Sequence, residues 1–225
     1  MYRFSAYLSN VTKSQRDGKN HLVKIQFPTT KEQIQECLRQ IGVDGIRHTN
    51  ADIKIVMYDI VENPLAVFFP PDASLDELNY ISARLSKVPA MFADKVTAAI
   101  QYEQPETIAE LINLTYNLDR YALIPQVQDF AQLGEHIARC KGIEIPEEVK
   151  QYFDYERLAW NEHKNHKGFF TTAGFCYPHK NLEIVLGYDG KNVPQEYRVF
   201  SYPTPDFLKD KPKAGVRAPA LVPVR

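Results

Sequence analysis

The sequence predicts an α+β fold built as three small consecutive units in an elongated chain. Two observations carry this expectation. Segments near both ends, YRFSAYLS (2–9), HLVKIQF (21–27), IKIVMYD (53–59) and GFFTTAGFCY (168–177), are rich in β-branched and aromatic residues with partial alternation, as half-buried strands are. Between them, apolar residues recur at helical spacing behind Ser/Thr-x-x-Glu/Gln starts, in which the first side chain and the fourth cap each other's backbone N–H.

In chain order, the first two strands flank SQRDGKN (14–20), which reads as a turn cluster. Thr30 with Gln33 opens a helix carrying Ile34, Cys37, Leu38 and Ile41, and Gly42 ends it. With the strand at 53–59 this makes a β-β-α-β unit, residues 1–62. Residues 63–118 read as a helical bundle. Ser74 with Glu77 caps its first helix, Pro89 opens a second with Phe92, Val96, Ala99 and Ile100 inward, and Pro105 opens a third. Residues 119–202 form the last unit. Asp129 with Gln132 caps a helix bearing Phe130, Leu133, Gly134, Ile137 and Cys140, and LEIVLGY (182–188) and EYRVFSY (196–202) read as β-like. From 203 to 225 the composition turns Pro-rich and basic, as in a disordered tail.

Composition bounds the function. A chain of 225 residues with 44% hydrophobic content can fill a core. Its longest apolar runs, such as Leu65 to Phe69, are far too short to span a bilayer, and MYRFSAYLSN lacks the apolar centre of a signal peptide. The expectation is a cytoplasmic protein, with Cys37, Cys140 and Cys176 as free thiols. Net charge is −1, unevenly spread: +4 over residues 1–50, −9 over 51–160 and +4 over 161–225. An acidic middle argues against direct nucleic-acid binding and suits a basic partner, although ordinary helix-end acids account for part of it.

Catalytic motifs are missing: there is no P-loop, GxGxxG, GxSxG or HExxH. His163, His166, Cys176 and His179 form one metal-like pattern, HxxH followed by CxxH, whose ligand types suit zinc. Sites with three His and one Cys are uncommon and the second pair falls at a predicted strand end, so no metal or cofactor is assigned.

The stretch Ile145 to Phe175 is the most informative. Pro146 starts a helix with Glu147 and Glu148 in its first turn. If that helix ran unbroken to Trp160, Glu156 would fall amid Val149, Tyr152, Phe153 and Ala159. A lone buried carboxylate costs several kcal/mol. A break at Asp154, capping a second helix, turns Glu156 outward and gathers four carboxylates on the surface. Gly134 lies on an apolar helix face, where it permits close approach of another backbone or marks a helix break.

These residues carry a resemblance. Asp129, Leu133 and Gly134, then Pro146-Glu147-Glu148, Phe153-Asp154-Tyr155-Glu156, Asn161-Glu162, Gly168-Phe169-Phe170-Thr171 and Gly174-Phe175 resemble the C-terminal motifs of ArdA-type antirestriction proteins of mobile elements. The N-terminal strands and the Pro-Thr-Thr-x-Glu helix start are similar more loosely. Leu158-Ala159-Trp160 stands where the family commonly has an aromatic-Gly-Arg segment.

The resemblance implies an acidic, three-part, non-catalytic protein that imitates bent duplex DNA. Such a protein occupies the DNA groove of a type I restriction-modification enzyme, and a homodimer is open to it. The carboxylates it would offer as imitation phosphates are Asp119, Asp129, Glu135, Glu144, Glu147, Glu148, Asp154 and Glu156, extended by Asp72, Asp76, Glu77 and Glu110. Gly134 is the expected helix or dimer contact. The near-neutral net charge keeps an alternative in view: an interaction module of a mobile element with this fold and no DNA mimicry.

Overall fold

The computed structural model describes residues 3–60, 63–179 and 183–203. Among them are two small antiparallel sheets and eight α-helices, so the α+β expectation holds. The predicted tail lies outside the described residues from 204 onward.

The first sheet is β1 (Phe4–Asn10), β2 (Leu22–Phe27) and β3 (Ile53–Tyr58), in the order β2-β1-β3. Its register sets Ala6 opposite both Ile25 and Tyr58. The residues at 14–20 are not a simple turn. Helix α1 (Val11–Asp17) starts where the Asn10 side chain accepts the Lys13 N–H at 3.0 Å, and it ends at Gly18 in the left-handed region, φ 68°. An Asx cap and a C-terminal glycine outweigh the polar, turn-like composition between them.

Helix α2 (Lys31–Gln40) begins at the predicted Thr30–Gln33 capping box, and Ile34 and Leu38 are fully buried. They share one core with Phe4, whose ring lies 5.2 Å from Phe27 and 4.5 Å from Phe69. Burying side chains of this size contributes about 1.5–3 kcal/mol each.

Three helices follow: α3 (Leu75–Ser86), α4 (Ala93–Glu103) and α5 (Ile108–Leu114). The third starts later than Pro105 suggests, because Thr107 and Glu110 form a capping box there. Phe92 is 43% exposed rather than inward, since a 3₁₀ turn precedes α4 and changes the phase.

The second sheet is β4 (Tyr121–Pro125), β5 (Phe169–Thr171) and β6 (Gly174–Pro178), in the order β4-β6-β5. Alternation along β6 divides its faces. Cys176 joins the large core with Tyr121 and Ile100, whereas Phe175 joins a small second cluster with Val127, Leu133 and Ala159. That cluster is closed by α6 (Phe130–Cys140) and α8 (Tyr155–His166), and the short exposed α7 (Glu147–Lys150) lies between them in the chain.

The β-like segments after residue 182 do not form strands. Residues 183–188 lie against α5, and the side chains of Asn113 and Asn117 take up the backbone N–H and C=O of Tyr188 and Val185 in place of a neighbouring strand. Residues 195–203 return to α3 and to Asn50, ahead of β3. Asp76 accepts from the Val199 and Phe200 N–H groups at 2.7 Å each, Asn79 donates to the Tyr197 carbonyl, and Tyr202 donates to Asn50.

Candidate partner-binding surface

The region 129–156 is built on a helix pair. Asp129 accepts the Gln132 N–H at 2.8 Å and starts α6. Gly134 then sits where a Cβ would lie 2.0 Å from the Tyr155 carbonyl oxygen. The glycine is therefore a helix contact, not a break, and its partner is α8 of the same chain. Asp154 ends the irregular turn after α7 and accepts the Arg157 N–H at 2.9 Å, which starts α8. The break expected at this residue is present. Ala159 is buried, and Glu156 is exposed.

Beneath the pair, Phe130 meets Trp160 edge-on at 5.2 Å and Phe170 at 5.0 Å. Trp160 nevertheless stays 48% exposed. This aromatic seam holds both helices on the Phe175 face of the second sheet.

The acids divide by what their oxygens do. Asp76 is committed to Val199 and Phe200, and Glu77 caps α3 with one oxygen while the other accepts from Tyr188 at 2.9 Å. Burial, with this carboxylate beside it, pushes the Tyr188 phenol above its usual range. Glu110 accepts from the backbone of Glu106 and Thr107 in its capping box. Asp76 and Glu77 are half-buried with partners inside the fold, whereas Glu110 is exposed and combines a capping role with an outward position, as Asp129 and Asp154 do.

Asp72, Asp119, Glu135, Glu144, Glu147, Glu148 and Glu156 are exposed, as are the capping Asp129 and Asp154. Glu147 has an ion pair with Lys150 at 3.4 Å. Residues 129–156 carry seven acidic against three basic side chains, net −4.

The zinc-like pattern is not brought together. The His163 ring stacks on Trp160 at 5.6 Å and faces Phe130 and Phe175, while Cys176 is buried on the opposite face of β6. Burial pushes the Cys176 thiol up to about 11. His179 is exposed beyond the strand, and the His166 side chain lies outside the described residues. Among the described residues no three His, Cys, Asp or Glu side chains converge as a metal site.

One surface feature escaped the sequence reading. Ile184, Val185 and Leu186 are 63%, 50% and 79% exposed, beside Glu103, Glu106 and Glu110. Their β-branched and leucine character pointed to a buried strand. Only the spacing of Asn113 and Asn117, four residues apart across the end of α5, hinted at another arrangement.

With the fold and its carboxylates placed, comparison with known proteins is decisive. A family model described as antirestriction protein (ArdA) matches residues 7–177. The chain belongs to the ArdA antirestriction protein family. The match runs from within β1 to within β6, takes in all three middle helices and the α6–α8 pair, and stops before the segment held by Asn113 and Asn117. No curated protein matches the chain. Among the described residues no helix is long and apolar enough to cross a membrane.

Proposed function

We propose that this ArdA-family protein blocks a type I restriction-modification enzyme by presenting carboxylates in place of DNA phosphates, without chemistry of its own. The observation that supports this reading is the outward set Asp129, Glu135, Glu144, Glu147, Glu148, Asp154 and Glu156, within the family match. Duplex DNA carries one charge per ~1.7 Å of axis, and a groove that binds it is lined with Lys and Arg. Exposed carboxylates on α6, α7, α8 and the turns that join them compete for those cations, and Asp72 and Asp119 extend the set. Such competition weakens as salt screens it.

The test is cleavage of unmodified DNA by a purified type I enzyme, with this protein added at moderate and at high salt. Inhibition at micromolar protein that fades with salt supports the reading. No inhibition at either salt would remove the antirestriction role. Inhibition indifferent to salt would remove the electrostatic mechanism and favour the second reading, an interaction module without mimicry. That alternative draws on the net charge of only −1.

A further inference from the structure

Residues 183–188 lie beyond the family match, and their backbone is clamped. Asn117 exchanges two hydrogen bonds with Val185, both 2.8 Å, and Asn113 exchanges two with Tyr188, both 2.9 Å. Gly187 is pressed so closely on Tyr116 that a Cβ would lie 2.5 Å from the ring. The segment is fixed in place, yet it holds three consecutive apolar side chains in solvent, with Leu186 at 79% exposure. Single exposed apolar residues are ordinary, but a run of three on an immobilised backbone marks a binding surface.

The surroundings say what kind. A groove of about 520 Å³ passes Ile184 and Leu186 and is walled by Glu103, Glu106 and Glu110, with Arg120 as its basic residue. A second groove, which shares Glu110 and Leu186 with the first, adds Asp189. Apolar anchors ringed by carboxylates complement a polypeptide that carries apolar side chains among Lys and Arg. Because the anchors are already ordered, little entropy is lost when such a partner covers them.

We infer that the Ile184–Leu186 ridge, with Glu103, Glu106 and Glu110 beside it, is an apolar docking point for the basic surface of the restriction enzyme. This rests on the antirestriction reading and adds a term to it: contact energy that salt does not screen. The ridge sets affinity, and the neighbouring glutamates set its salt dependence.

The experiment measures binding of the full chain to a purified type I enzyme across a salt series, by titration calorimetry or interferometry. Three proteins are compared: unmodified, Ile184→Ser/Leu186→Ser, and Glu106→Gln/Glu110→Gln, in which glutamine keeps the cap. The serine variant should bind at least tenfold more weakly at every salt concentration, with the salt slope unchanged. The glutamine variant should show a shallower slope. Leu186→Ser alone, at a largely exposed position, gives a smaller loss and guards against misfolding, which circular dichroism checks. Unaltered binding by the serine variants, with unmodified protein still binding and inhibiting, would overturn the docking point alone. A change in their oligomeric state would also overturn it, by making the ridge a contact between copies. If the unmodified protein neither binds nor inhibits, both readings fall.

Discussion

The helices α3 and α5 and the helix pair α6–α8 use the same residue types for opposite ends. In α3 and α5 the acids Asp76, Glu77 and Glu110 turn their oxygens onto backbone N–H groups and a tyrosine, and the helices rest on a large continuous core. Around α6 and α8 the clustered core shrinks to Val127, Leu133, Ala159 and Phe175, and Glu135, Glu147, Glu148 and Glu156 are exposed. A carboxylate on a helix can stabilise the fold or be held for a partner, and sequence position does not tell which. The acid-dense region depends on one close backbone approach where the other has a thick core.

The close approach of α6 to α8 is tested most severely at Gly134. Alanine in an unhindered helix position would stabilise by about 1 kcal/mol. Here Gly134→Ala should destabilise by about 3 kcal/mol, because its Cβ meets the Tyr155 carbonyl, an overpacking cost read by denaturant unfolding. A neutral or stabilising result would mean α6 and α8 are not held in this contact.

Asp76→Ala comes next. It strands two backbone N–H groups and should cost about 2 kcal/mol. Glu148→Gln should change stability by less than about 0.5 kcal/mol, as surface substitutions do. Equal effects would erase the division between internal and outward acids.

Thiol labelling sharpens the core boundary. Cys140, exposed at the end of α6, should react first and Cys37 more slowly, while Cys176 reacts only on unfolding. Burial raises the thiols of Cys37 and Cys176, the latter to about 11. Mass-resolved labelling with iodoacetamide checks the order.

The smallest effect concerns Asp189. The N–H groups of Asn192 and Lys191 lower its carboxyl to about 2, from an ordinary 3.8. A depressed carboxyl contributes stability that is present above 3.8 and is lost as pH falls through about 2. Thermal unfolding from pH 5 to pH 2 should therefore show the gap between the unmodified protein and Asp189→Ala narrowing towards pH 2.

What was legible in the sequence was local. The capping boxes at Thr30 and Ser74, the caps at Asp129 and Asp154 and the outward turn of Glu156 all follow from short-range hydrogen bonds and patterning, and each is present. The helix at 11–17 was hidden because its signal is one Asx cap and one glycine around polar residues. The segment after residue 182 misled because its backbone pairs with the side-chain amides of Asn113 and Asn117 rather than with a strand, a tertiary partnership no local pattern encodes. The commitments of Asp76 to residues 199 and 200, and of Glu77 to Tyr188, also span more than a hundred residues. Cys176 and His163 could not be separated until β6 was seen to divide its faces between two cores.

The account stands on the outward carboxylates of α6–α8 acting as phosphates. The direct measurement is inhibition of a type I enzyme by Glu144→Gln/Glu147→Gln/Glu148→Gln/Glu156→Gln at moderate salt, beside the unmodified protein. We predict an unchanged thermal midpoint and at least a tenfold loss of inhibition. Undiminished inhibition by a correctly folded variant would contradict the account.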